Sequence, residues 1–244
     1  MLTGWLLVAL AGLAIGATSI GGVLVVPALH RWMGMDIAEA TALSSQAFCW
    51  TGLWALWRLP RLGIDLLRRE WVLLLMSLFG AALGAFLSTQ VPAPWIRSWI
   101  GALAMVSSGF GLWRTYASPG AKPVTAWPGV PMQATLGLLV GIGSALSGTG
   151  GPVMLLPLLL LLRRCDFERS VQVALVMQVP IALAATLTHA SAGRFDLSAG
   201  AAVALVLLVG AEIGRRLARR WSQRSLQTAT AVLLLATGVW MFRI

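Results

Sequence analysis

The chain has 244 residues, 58% of them hydrophobic and only 11% charged, at a mean hydropathy of +0.84; soluble domains carry about a quarter charged residues. Water is therefore excluded as the solvent for most of its surface. The net charge of +10 comes from 18 Lys and Arg, nearly all Arg, spread over short loops rather than gathered in a patch. That pattern suits contact with anionic lipid and argues against a nucleic-acid partner.

In chain order, uncharged windows cover 1–29, 40–57, 71–96, 98–113, 123–162, 170–193, 197–211 and 225–242. Most approach or exceed the roughly 20 residues that cross a bilayer core. The first window has no Lys or Arg before its apolar run and recurs inside the chain, so it reads as mature structure rather than a signal peptide. Its segment LAGLAIGATSIGGVLVVPAL (10–29) is apolar, then small and polar, then apolar again. Gly and Pro in mid-segment free backbone groups that only protein or a polar cavity can satisfy, so a broken helix is predicted, a hairpin over 2–32. Helices follow at about 37–57, 70–90 and 95–114, then a Pro/Gly-containing linker over 116–130. A second broken segment, LVGIGSALSGTGGPVMLLPLL (139–159), predicts a hairpin over 132–162, followed by helices at about 167–189, 197–217 and 225–243.

The second half repeats the first at a constant offset. Gly21 falls on Gly151, Pro27 on Pro157, Asp36 on Asp166, Gly63 on Gly193, Gly80 on Gly210 and Gly84 on Gly214, with no insertion. The units are 1–115 and 131–244. Basic residues then discriminate between topologies. If all eight segments cross, the two sides carry nearly equal numbers of Lys and Arg. If each broken segment turns back on itself, one side keeps only Arg31, Arg97, Arg194 and Arg243, and the other collects the rest. The positive-inside rule favours the second arrangement. The expected fold is an all-α integral membrane protein of two inverted repeats, each one re-entrant hairpin plus three transmembrane helices; eight plain transmembrane helices are the alternative.

Inverted hairpins would bring their tips together, Thr18, Ser19, Gly21 and Gly22 from one side and Ser147, Gly148, Thr149, Gly150 and Gly151 from the other. Half-helix N-termini, glycine backbone and hydroxyl donors can together replace the hydration shell of a small anion. Polar residues on the following helices, Ser44, Ser45 and Gln46, and Gln172 and Gln178 beside Pro180, could complete the cavity or merely bond a neighbouring helix. The tips therefore predict a small anionic substrate held at this point.

Glu212, the one acid inside a predicted span, precedes Arg215 and Arg216 by three and four residues and is read as a helix-surface ion pair. His189, near a helix end, is expected at the interface. The GxxxG pairs Gly80/Gly84 and Gly210/Gly214 are read as helix packing. Most of the 12 Trp lie at window ends, as an interfacial belt does. Cys49 and Cys165 form no CxxC pair and do not match in the repeat, so neither metal nor cofactor is expected. The chain is not expected to be an enzyme. An intramembrane protease using Ser147 and His189 is the catalytic alternative, and a membrane assembly or receptor subunit the non-transporting one. Without a P-loop, transport would draw on the membrane potential or a coupled proton.

The two Gly-rich motifs ending in Pro27 and Pro157, each opening a four-segment unit, resemble the sulfite exporter TauE/SafE family. The stretch HASAGRFDLSAGAAVALVLLVGAEIGRRLARRWSQRSLQ (189–227), with Gly193, Asp196, Gly210 and Gly214, is similar to that family's late region. The resemblance spans nearly the whole chain. It implies a secondary transporter of the bacterial inner membrane that exports sulfite, an organosulfonate or a related sulfur anion by alternating access. Two features depart from the family pattern: ATSIGG has fewer glycines than usual, and SVQVALVMQ replaces a Gly-Thr-Ser-like stretch after the second hairpin.

Overall fold

The computed structural model describes residues 2–18, 21–58, 68–117, 129–161, 167–218, 220 and 222–241; Ser19, Cys165, the linker core and the loops with Arg61, Arg163 and Arg164 lie outside them. The described residues are helical, with no strand among them. They form α1 (Leu2–Thr18), a short arm over 22–32, α2 (Ile37–Trp57), α3 (Trp71–Gln90), α4 (Ala93–Ala117), α5 (Val130–Ser147), α6 (Pro152–Leu161), α7 (Phe167–Ser191), α8 (Leu197–Ala218) and α9 (Gln223–Met241).

Helix starts follow local chemistry. Asp36 accepts from the Ala38 amide at 3.3 Å while Glu39 accepts from the Asp36 amide, which fixes the start of α2. Asp196 accepts from the Ala199 amide at 3.0 Å and the Ser198 hydroxyl at 2.7 Å, which fixes the start of α8. α5 ends at Gly148 in the left-handed region, φ +62°, where a Cβ would be strained.

Burial is distributed as in a protein dissolved in lipid. Phe79, Leu205 and Ile213 are more than half exposed, while Ser44, Ser77 and Ser147 are fully buried, the reverse of a water-soluble surface. Four of the described helices are long and apolar enough to cross a membrane: Trp71–Gln90, Val130–Ser147, the Val171–Ser191 part of α7, and Leu197–Ala218. The chain is a multi-pass membrane protein. Exposed Trp57, Trp71 and Trp95 sit at helix ends, as interfacial aromatics do.

Glycine sets the closest helix pairs. Gly12 lies against Leu207 and Gly210, Gly16 against Ala211, and Gly214 against Leu13. Residue numbers rise together on both helices, so α1 and α8 run parallel. On the other side Gly80 meets Leu138, Gly84 meets Ile142, Gly137 meets Leu73 and Gly141 meets Ser77, so α3 and α5 are parallel too. A Cβ at any of these glycines would fall on neighbouring backbone, and the axes approach this closely only without one. α4 and α9 run the opposite way. The Tyr116 hydroxyl pairs with Thr228 at 3.0 Å, the Ser108 hydroxyl donates to the Ala231 carbonyl at 2.7 Å, and Gly238 rests on Met105 and Gly101.

The arm after α1 is helical but irregular: a 3-10 turn Gly22–Leu24, an α turn Val25–Pro27 and a π turn Ala28–Trp32. Gly21 packs against Ala11 and Ala14, and Gly4 against Trp32 and Met33, so the arm runs back along α1. Similarly Gly143 of α5 packs against Met154 of α6.

Candidate functional site

The turn closing α5 is built on three glycines with positive φ, Gly148 at +62°, Gly150 at +76° and Gly151 at +106°, conformations that L side chains rarely adopt. Each is also hemmed in: Gly148 by Val26 and Thr41, Gly150 by the Phe48 ring, Gly151 by Ile181. The Ser147 hydroxyl donates to the Gly143 carbonyl at 2.8 Å and lies 3.0 Å from the Thr149 hydroxyl. Both side chains are buried.

This turn touches the opposite one directly. A Cβ on Gly22 would lie 2.6 Å from the Thr149 carbonyl oxygen and 3.0 Å from Phe48 Cζ. The Ser44 hydroxyl of α2 donates to the Gly148 carbonyl at 2.6 Å. Gln178 of α7 donates through Nε2 to the Phe48 carbonyl at 3.0 Å and to the Thr51 hydroxyl at 2.8 Å. The site is therefore a closed contact of two turns braced by α2 and α7. Its carbonyls are partly quenched: Gly148's accepts from Ser44, whereas Thr149's faces Gly22.

Of the residues singled out by sequence, Gly22, Ser147, Gly148, Thr149, Gly150 and Gly151 gather at this contact, with Gln178 bracing it, while Gly21 packs back on α1. Thr18 is buried and donates to the Ala14 carbonyl at 2.9 Å, and Ser19 lies outside the described residues. Ser45 donates to the Thr41 carbonyl at 2.9 Å, an internal helix bond. Gln46 turns away from the tips, its Nε2 directed at the Arg194 carbonyl at 3.4 Å. The two tips are unequal: α6 begins at Pro152, which has no amide hydrogen, while its repeat mate Gly22 has one. The second half-helix thus offers one donor fewer than glycine would.

Three contributors escaped the sequence reading. Thr41 and Phe48 line the turn from α2, and Ser144, fully buried, keeps a hydroxyl without a hydrogen-bond partner. Helical spacing was the available signal: Thr41, Ser44 and Phe48 fall at i, i+3 and i+7, and Ser144 sits three residues before Ser147.

His189 corrects an expectation. Rather than reaching interfacial water, it is 0% exposed, and neither ring nitrogen has a hydrogen-bond partner; its helix, α7, packs against α2 and α3. Ser147 bonds elsewhere, so no Ser–His pair forms. Glu212 bonds Arg215 at 2.6 Å and Arg216 at 2.9 Å, and pairs at 3.4 Å with Arg58, which caps the C-terminus of α2. The C-terminal ends of α2 and α8 therefore share one Arg-rich end of the molecule.

No curated protein and no solved structure matches this chain. A scan against protein-family models matches the one described as "Sulfite exporter TauE/SafE" over residues 5–241. With that match covering nearly all of a multi-pass helical membrane protein, the chain belongs to the sulfite exporter TauE/SafE family of anion-exporting membrane transporters.

Proposed function

We propose that the chain is a secondary transporter of the bacterial inner membrane that exports sulfite or an organosulfonate by alternating access, its two inverted units rocking about an anion held at the tips. One observation carries the reading: two Gly/Ser/Thr turns that are mates in the sequence repeat meet through Gly22 and Thr149.

Helix directions support the inversion. α4 and α9 are repeat mates and pack antiparallel, as an axis perpendicular to the helices demands; an axis along them would leave mates parallel. The parallel pair α1 and α8 maps under the same offset onto α5 and α3, also parallel. The return of the 22–32 arm to Gly4 favours a re-entrant hairpin over a plain crossing. Arg58, Arg215 and Arg216 around Glu212 support a cytoplasmic location for that end by the positive-inside rule.

The tips in contact describe an occluded arrangement. Their parting opens a gap lined by the Ser147–Thr149 hydroxyl pair and by the amides that open α6 and the 22–32 arm, donors an oxyanion needs as it sheds water. The Thr149 carbonyl, which repels an anion, has to turn aside in the same movement. An expelled monoanion gains roughly 2.3 kcal/mol per 100 mV of inside-negative potential, so export needs no carboxylate, and a proton entering in exchange would add to that drive. The test is uptake of labelled sulfite by proteoliposomes under imposed voltage and pH gradients. Voltage-driven uptake above protein-free vesicles is expected; no uptake of sulfite, sulfonates or thiosulfate would overturn the assignment.

A further inference from the structure

A groove of about 310 Å³ runs between the 22–32 arm and α9, walled by Leu7 and Leu10 of α1, Leu24 and Ala28 of the arm, and Leu233 and Ala236 of α9. Trp32 and Trp240, ring centroids 5.0 Å apart, meet at one end of it. Thr18, at the end of α1, bonds Thr230 near the start of α9 at 3.5 Å, and α1 runs parallel to α8. α9 therefore runs back from the Glu212 end, and the tryptophan pair lies at the opposite, Arg-poor end.

The wall is hydrocarbon and aromatic apart from Thr237, whose hydroxyl donates to the Leu233 carbonyl at 2.8 Å. Leu10 is 45% exposed and Trp32 38%, so the groove opens sideways, onto bilayer rather than water. Its size limits the occupant. From Leu233 to Trp240 it runs about 10 Å at 1.5 Å rise per residue, against roughly 15 Å for the hydrocarbon of one leaflet. A helix about 10 Å across would need roughly 800 Å³ over that length, so a helix of a second copy does not fit, whereas a single acyl chain does. The mouth also carries charge. Leu24, Pro27, Ala28 and Trp32 fall at i, i+3, i+4 and i+8 along the arm, and Arg31, at i+7, continues the same stripe. Arg31 is exposed and forms no ion pair among the described residues. Asp36 and Glu39 are engaged at the start of α2 and are not on the groove's wall.

We infer that the groove binds one acyl chain of a phospholipid from the Arg-poor leaflet, with Arg31 on the phosphate and the Trp32–Trp240 pair at headgroup level. Leu24 stands two residues from Gly22, so the buried end of the chain lies beside the tip contact and the lipid braces the arm against α9. This binding needs only the membrane and is independent of the exporter reading.

The test uses full-length protein stripped of lipid in detergent and given phosphatidylglycerol with a diazirine midway along one acyl chain, the photoadducts being mapped by peptide mass spectrometry. Adducts concentrated on 24–32 and 233–240 are expected in wild type. They are expected to be lost in Ala236→Trp, which fills the groove from an exposed position. Arg31→Gln is expected to lower the yield about fivefold, the factor one Arg contributes at an anionic lipid surface, with Arg31→Lys retaining it and a diacylglycerol probe of the same chains indifferent to both. Unlabelled phosphatidylglycerol should raise the thermal midpoint of wild type and not of Ala236→Trp. Wild-type adducts spread evenly over the lipid-facing helices, or groove adducts that survive in Ala236→Trp, overturn the site. Equal phosphatidylglycerol labelling of wild type and Arg31→Gln overturns the phosphate contact. A wild-type dimer with an unlabelled groove that dissociates in Ala236→Trp would give the groove to a second copy and overturn the lipid.

Discussion

Substituting Gly22 by Ala places one methyl group at the contact between the two tips. The added carbon would lie 2.6 Å from the Thr149 carbonyl oxygen, where a close C···O contact sits near about 3.3 Å. One tip must therefore retreat by roughly 0.7 Å, and because the obstacle is backbone, no side-chain rotation relieves it. Gly22 is not among the glycines with positive φ, so the effect is steric rather than conformational. Overpacking of this kind costs about 1–3 kcal/mol, which at 1.4 kcal/mol per decade corresponds to a roughly 5- to 140-fold loss of the closed arrangement. The assay is labelled-anion flux in proteoliposomes together with the thermal midpoint in detergent. Gly34→Ala is the control: it introduces strain at φ +73° with nothing within 4 Å, and should leave flux intact. Wild-type flux and stability in Gly22→Ala would refute the idea that the tips must close on each other during the cycle.

Ser44→Ala removes the 2.6 Å bond to the Gly148 carbonyl and leaves that buried acceptor unsatisfied, a loss of about 1–3 kcal/mol readable in the thermal midpoint. Glu212→Gln weakens the attraction to Arg58, Arg215 and Arg216 and should lower the midpoint while the pH profile of transport keeps its shape; a lost proton dependence would give Glu212 a role in coupling. Hydrogen bonds from the Ala199 amide and the Ser198 hydroxyl hold the Asp196 carboxyl below its ordinary pKa. Its contribution to stability is thus present above the unfolded carboxylate pKa and lost as pH falls through the depressed folded value. The acid limb of a midpoint-versus-pH curve should flatten in Asp196→Asn, which retains a cap acceptor but cannot titrate.

The tips were legible because Gly, Ser and Thr recur in register, and glycine with positive φ leaves a trace that apolar helices do not. Glu212 was legible from spacing alone, since its partners Arg215 and Arg216 lie on its own helix. Arg58, arriving from α2, was not, because no spacing rule connects residues on different helices. Gln46 stands two residues from Ser44 yet reaches the Arg194 carbonyl instead, since successive helical positions differ by about 100°. His189 misled for a related reason: position along a helix gives depth, but whether a side chain meets water depends on what packs around it. The meeting of the tips was expected from the inverted repeat, but its closeness, Gly22 against the Thr149 carbonyl, was not, because a sequence repeat relates two turns without giving the distance between them.

The most direct measurement is the concentration dependence of sulfite uptake by proteoliposomes carrying wild type or Thr149→Val, a substitution that keeps side-chain shape and deletes the hydroxyl 3.0 Å from that of Ser147. If the anion is held at the tips, KM rises about tenfold or more, as expected for loss of one hydrogen bond to a charged group, while the voltage dependence persists. An unchanged KM in a folded, transporting variant would place the anion elsewhere and contradict the tip-binding mechanism.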